Sequence, residues 1–200
     1  MAAESHFFAI VSRMKYIERW ALMRSSRPEN LSEHALEVAM IAHALCTIGN
    51  VRYGRTLDAD RAAVIALYHD ASEIITGDMP TPVKYRNEEL RGAYKEVERE
   101  AELELLATLP DDLRPAFAKA FSPSAEDEAH AYMHALVKAA DKLSAYIKCC
   151  EEASAGNVEF RTAAATTLAA LTKMREAYPE VGDFMDEFLP SYGRTLDELL

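Results

Sequence analysis

Cysteine is scarce in this chain, with three residues in 200: Cys46, Cys149 and Cys150. The count is odd, two of them are neighbours, and no Cys-x-x-Cys spacing occurs. That excludes a disulfide framework and fits a reducing compartment, so a cytoplasmic location is expected. Glycine and proline are also few, 7 and 8, against a hydrophobic fraction of 50%, which favours long helices and disfavours disorder. Basic residues fall short of acidic ones, 22 against 33, for a net charge of -11. A general grip on a nucleic acid polymer or on an anionic membrane surface is therefore not expected. No run of about 18 apolar residues occurs, and the start MAAESHFF has no basic region or long apolar stretch, so neither a membrane span nor a signal peptide is expected. Strand-like alternation and internal repeats are absent as well, which leaves an all-α chain, one domain over residues 1–200.

What the sequence does have is concentrated in ALYHDASEIITGDMPTP, residues 66–82. An apolar run, Val64, Ile65, Leu67 and Tyr68, ends on His69 and Asp70, two groups that a core tolerates only with partners. If the helix continues, Glu73 lies four residues after His69 and three after Asp70, on the same side. Gly77 and Asp78 then break the helix, and Pro80 and Pro82 keep it from resuming at once. A lone His-Asp pair is most often a surface pair or a hydrogen-bonded core histidine, so the weight rests on what else the chain supplies.

Before this stretch, residues 5–23 read as an amphipathic helix with Ser5 as its cap. From Arg13 to Arg27, across the end of that helix and the loop after it, Arg13, Lys15, Arg19, Arg24 and Arg27 are opposed only by Glu18, a local positive patch that suits a small anion such as phosphate. A second helix is expected from Ser32, as cap, to Gly49-Asn50, with His34 in its first turn. Asp58 starts the third, and Asn87–Leu109 is long and charged. Pro110-Asp111-Asp112 and Ser122-Pro123-Ser124 are turns flanking a short helix that ends near Phe121. A helix from about Glu126 to Ala155 sets Asp141 among apolar neighbours, and residues 158–200 read as packing helices without His or Cys. His34, His69, Asp70 and Asp141 thus lie on three expected helices. Two imidazoles and two carboxylates suit one six-coordinate divalent ion such as cobalt, manganese or another transition metal, with positions left for water and substrate.

The order His…His-Asp…Asp resembles the HD-domain phosphohydrolase superfamily over about residues 30–150. Four segments, SHFFAIVSRMKYIERWALMR, SEHALEVAMIAHAL, LYHDASEIITGDMPTPVKY and LVKAADKLSAYIKCCEE, are similar to the bacterial HD-domain 5'-deoxynucleotidases. The resemblance implies a single-domain helical HD fold and hydrolysis of 2'-deoxynucleoside 5'-monophosphates by a homodimer. It implies His34, His69, Asp70 and Asp141 as metal ligands and Glu73 as the acid/base that positions the attacking water. It further implies Arg19 against the phosphate, Trp20 against the sugar and Asp78 on the 3'-hydroxyl. Arg19 and Trp20, adjacent on the first expected helix, would diverge by about 100°. The segment Ser122–His134 does not align cleanly with the family, so no substrate contact is carried over there. His130 and His134 have the spacing of a zinc peptidase motif, but Ala131 stands where its general base belongs. Hydrolysis of deoxynucleoside triphosphates or cyclic phosphodiesters is the alternative activity, and a non-catalytic helical HD scaffold is a more remote one.

Overall fold

In the computed structural model, which describes residues 4–84, 86–121 and 128–200, the helix expected over residues 5–23 stops early. α1 spans Phe7–Val11, a 3-10 turn follows over Ser12–Tyr16, and Ile17 is extended. Pairing with another segment outcompetes helical hydrogen bonding here. Leu31 N–H donates to the Ile17 carbonyl at 3.0 Å and Arg19 N–H to the Glu29 carbonyl at 2.9 Å, so Glu18 and Asn30 form an isolated antiparallel bridge. Ser5 is not the cap; its hydroxyl donates to the Thr108 carbonyl at 2.7 Å.

The remaining elements follow in order: α2 Leu31–Tyr53, α3 Ala59–Tyr68, α4 Glu73–Thr76, α5 Thr81–Lys84, α6 Glu88–Ala107 and α7 Arg114–Phe121. Then come α8 Glu128–Ser154, α9 Arg161–Ala177, α10 Pro179–Glu187 and the short α11 Leu196–Leu199. No strand occurs among the described residues. The turn Ser122-Pro123-Ser124 and the expected helix start at Glu126 lie outside them, as does the first part of Ser122–His134.

The cap of α2 is Asn30, not Ser32. Asn30 Oδ1 accepts from Ser32 N–H at 3.0 Å and Glu33 N–H at 3.1 Å, and Glu33 reaches back to Asn30 N–H at 3.4 Å, a reciprocal arrangement that satisfies three amides at the helix entrance. α2 also runs past its expected end at Gly49-Asn50. Gly49 serves close packing there, since a Cβ would lie 2.8 Å from Glu180 Oε1. By length and mean hydropathy α2 could cross a bilayer, but its apolar side, Val38, Ile41, Ala42 and Leu45, is buried in protein.

The contacts divide into two units. The first comprises residues 1–24, 28–35 and 67–124. Its core is an aromatic cluster, with Phe7 fully buried against Phe8, Tyr68, Phe117 and Phe121, plus Leu31, Leu105 and Leu109. Asn87, where the sequence sets the start of this helix, caps α6 by accepting from Leu90 N–H at 2.7 Å.

The second unit comprises residues 25–27, 36–66 and 125–200. Ile41, Leu45, Ile65, Leu136, Leu143, Leu171 and Val181 fill its core. Two buried carboxylates are built into it. Glu180 accepts from Arg55 Nε and from the Tyr132 hydroxyl. Glu152, 1% exposed, accepts from Lys148 Nζ at 2.6 Å, Asn157 Nδ2 at 2.7 Å, Ser26 N–H at 2.8 Å and Arg27 N–H at 3.5 Å. Lys148 also donates to the Arg27 carbonyl at 2.6 Å, so the three-residue piece 25–27 is held at both its donors and its acceptor.

Burial, the largest single influence on Glu152, pushes its pKa up. The bonds from Lys148, Ser26 and Asn157 outweigh it and bring the carboxyl down to about 2. A depressed carboxyl pKa contributes stability above the ordinary value near 4.5 and loses it as pH falls toward 2. Glu152→Ala leaves Lys148 buried as an unpaired cation and is expected to destabilise by about 3–5 kcal/mol in urea unfolding, with a weaker acid dependence of stability between pH 4.5 and 2 than wild type. A change under about 1 kcal/mol would show that Lys148 finds water once Glu152 is gone.

Candidate metal centre

The stretch 66–82 is not one helix. α3 ends at Tyr68, and His69–Ser72 form a turn before α4. The turn keeps a helical sense through 3-10 bonds, Ala71 N–H to Tyr68 O at 3.0 Å, Glu73 N–H to Asp70 O at 3.0 Å and Ile74 N–H to Ala71 O at 3.3 Å. The tighter winding brings residues three apart nearly over one another, so Asp70 and Glu73 come close. At Gly77 the chain takes φ of 73°, a conformation open to glycine, and turns Asp78 back toward the segment carrying Trp20.

Within the first unit, His34, His69 and Asp70 offer donor atoms within 4.8 Å of one another. His69 Nε2 lies 3.1 Å and His34 Nε2 3.5 Å from the same oxygen, Asp70 Oδ2. Two metal bonds of about 2.1 Å meeting near a right angle place their donors about 3 Å apart, so this spacing fits neighbouring ligands on one divalent ion. Imidazole nitrogen with carboxylate oxygen is a donor set for zinc and other transition metals rather than for calcium. His34 is fully buried in the first turn of α2, with its ring centroid 5.3 Å from that of His69. Asp141, the fourth residue of the pattern, belongs to the second unit on α8, where Lys142 Nζ donates to its carboxylate at 3.2 Å.

Arg19 Nη1 reaches Asp70 Oδ2 at 3.4 Å, which places a guanidinium at the edge of the cluster. Arg19 and Trp20 come from the loop after the bridge rather than from a helix, and Trp20 has φ of 61°, a left-handed backbone unusual for a residue with a side chain. Trp20 N–H donates to Asp78 Oδ2 at 3.3 Å. Burial raises the pKa of Asp78, opposed by the Arg19 charge and by that hydrogen bond. Glu73 is 6% exposed, and its Oε2 is buried with no hydrogen-bond partner among the described residues. Burial first, then the charges of Asp70 and Asp78, push its carboxyl up to about 9, against the pull of Arg19 and Lys84. A buried carboxyl oxygen without a partner, beside a cluster of metal-type donors, is suited to a water molecule or a substrate oxygen.

Of the basic patch, Arg19 enters this group, while Arg13 and Lys15 lie over the Tyr16 ring. His130 and His134 stack in the second unit with planes 9° apart, and burial lowers the pKa of His134 to about 4, with the nearby imidazole of His130 and the charges of Arg61 and Lys138 adding to the effect. Sequence reasoning missed Glu29, whose Oε2 accepts from both Arg19 Nε and Trp20 Nε1. The signal for it was faint, a lone acid before the cap residue Asn30 in an otherwise basic segment.

Residues 6–192 match the family model described as 5'-deoxynucleotidase YfbR-like. The chain is 49% identical over 195 residues to a 5'-deoxynucleotidase of Erwinia tasmaniensis, covering 98% of this chain and 96% of that protein. It is 50% identical over 196 residues to the 5'-deoxynucleotidase YfbR of Salmonella paratyphi B, with the same coverage. Among solved structures, an HD-domain phosphohydrolase of Listeria innocua is similar with a TM-score of 0.80 at 24% identity, over 94% of this chain and 88% of that one. The HD phosphohydrolase DatZ of cyanophage S-2L, bound to dA and one catalytic zinc ion, is similar with a TM-score of 0.50 at 23% identity, over 75% and 72%. The fold is the all-α HD-domain fold.

Proposed function

Because the chain belongs to the YfbR-like family of 5'-deoxynucleotidases, we propose that it hydrolyses 2'-deoxynucleoside 5'-monophosphates to deoxynucleoside and phosphate with one divalent metal ion. The observation that carries this reading is the meeting of His34, His69 and Arg19 at one oxygen of Asp70, with the buried carboxyl of Glu73 one turn on. His34, His69 and Asp70 are the proposed ligands, and the sequence pattern alone adds Asp141 as the fourth. Cobalt or manganese is the proposed metal; the structurally similar DatZ is bound to one catalytic zinc ion. When bound, the ion supplies Lewis-acid stabilisation of phosphoryl oxygens and a more acidic water.

The protein's own groups then have distinct tasks. Arg19 directs its terminal nitrogens at the phosphoryl oxygens, a role its planar fork suits better than an ammonium does. With a cation on the neighbouring donors to offset burial and the charges of Asp70 and Asp78, Glu73 would be ionised; it then takes the proton of the attacking water and returns one to the 5'-oxygen as the phosphorus–oxygen bond breaks. Asp78 accepts a hydrogen bond from the sugar 3'-hydroxyl. Trp20 borders the sugar on its 2' side, and because its N–H is already given to Glu29 it offers ring carbon there, leaving a 2'-hydroxyl unpaired. A homodimer in the cytoplasm is the proposed working form.

The test is a substrate panel with cobalt or manganese present. Deoxynucleoside 5'-monophosphates are expected to exceed ribonucleotides by roughly 10²-fold in kcat/KM, with deoxynucleoside triphosphates and cyclic phosphodiesters slower still. In folded Trp20→Ala protein the gap between deoxy and ribo substrates is expected to narrow. Preferential cleavage of triphosphates or cyclic diesters would sink the monophosphatase reading, and an unchanged ratio in Trp20→Ala would remove Trp20 as the gate.

A further inference from the structure

Glu29 has no step of its own in the chemistry above, yet two of the three side chains assigned to the substrate, Arg19 and Trp20, end on it. Its Oε2 accepts from Arg19 Nε at 3.2 Å and from Trp20 Nε1 at 2.8 Å. The backbone repeats the link, with Arg19 N–H on the Glu29 carbonyl at 2.9 Å. Glu29 and Arg19 are 12% and 11% exposed, so this charge-assisted contact is largely shielded from water, unlike an ordinary surface pair. Resting on the deoxynucleotide reading, we propose that Glu29 is a positioning residue that sets the phosphate contact and the sugar wall together through one carboxylate oxygen.

The two bonds act on different degrees of freedom. A guanidinium is planar, so fixing Nε sets the plane in which the terminal nitrogens lie, and Nη1 is thereby turned to Asp70. Trp20 starts from a left-handed backbone that a residue with a Cβ occupies only when held, and Glu29 holds the far end of its ring. Glu29 is itself fixed to the metal ligands through the chain. The next residue, Asn30, caps α2 and accepts the N–H of His34 through its carbonyl at 3.1 Å. One acid thus keeps the anion grip, the sugar wall and a metal ligand in a common register.

Trp20 is the only tryptophan, so intrinsic fluorescence reports on this contact without interference. Glu29→Gln keeps an oxygen for the indole but removes the charge opposite Arg19, whereas Glu29→Ala removes both. With 2'-deoxyadenosine and adenosine 5'-monophosphates as probes, Glu29→Gln is expected to lose roughly tenfold in kcat/KM on both with their ratio kept. Glu29→Ala is expected to lose more, to narrow the ratio several-fold, and to show red-shifted, less anisotropic Trp20 emission at unchanged metal content. Trp20 emission and anisotropy that do not respond to Glu29→Ala overturn the proposal, as does an activity loss that only follows the unfolded fraction. If the wild type hydrolyses neither nucleotide, the substrate reading fails, and the fluorescence comparison still decides whether Glu29 holds Trp20.

Discussion

Glu73→Gln is expected to lose roughly 10²–10⁴-fold in kcat while keeping its metal and its fold, the range typical for a removed acid/base group. The exchange preserves shape and volume, so packing in the turn after His69–Ser72 is undisturbed. It also replaces a buried carboxyl that has an oxygen without a partner and two acids, Asp70 and Asp78, as neighbours. A group in that situation destabilises the folded state relative to its neutral amide. The melting temperature of the variant should therefore stay level or rise as turnover collapses. That opposite movement separates a catalytic role from a structural one. A fall in melting temperature matched by loss of bound metal would make Glu73 a support for the ligands.

His69→Ala and Asp70→Ala are expected to abolish metal binding and to lower activity by roughly 10³-fold or more, because a bound ion is worth several kcal/mol of transition-state stabilisation. Asp70 carries the larger effect, since His34, His69 and Arg19 all approach its Oδ2. Removing it takes away the carboxylate oxygen on which the buried imidazole of His34, the partly buried one of His69 and Nη1 of Arg19 converge. Chelation of the wild type should reproduce the activity loss and lower the melting temperature, by the linkage between ligand binding and folding. Added cobalt or manganese should restore both. Asp141→Ala tests the fourth ligand in the same assay, with metal stoichiometry read by atomic spectroscopy. Full activity in chelated wild-type protein would remove the metal from the mechanism altogether.

The parts of this site that were legible in the sequence are those set by local spacing. His69, Asp70 and Glu73 lie within five residues, and either an α-helix or the observed 3-10 turn puts them on one side. Gly77 and the prolines after it announce a break, and Asn87 announces a helix start. What could not be read depends on pairing between segments. Nothing local stops a helix at Tyr16, because the cause is the hydrogen bonding of Ile17 and Arg19 to Leu31 and Glu29. The left-handed turn at Trp20 is hidden for the same reason, since a bulky aromatic is a poor sign of positive φ. Ser32 and Asn30 were both chemically able to cap α2, and the bridge at Asn30 decided between them. Glu29 matters only through partners that the bridge delivers, so its identity as an acid carried little information alone.

The way Glu152 holds residues 25–27 has a consequence for how the chain can vary over generations. Its two oxygens take the main-chain amides of Ser26 and Arg27, and Lys148 takes the carbonyl of Arg27. Backbone groups are common to nearly every amino acid, so this grip does not select what stands at position 26, except that proline would remove the donor. It does select that two consecutive amides, those of Ser26 and Arg27, are presented together. Homologous chains can therefore exchange letters in this stretch with little penalty, whereas an insertion or deletion would slip the amides off the carboxylate. Divergence here should be recorded as substitutions in a segment of constant length.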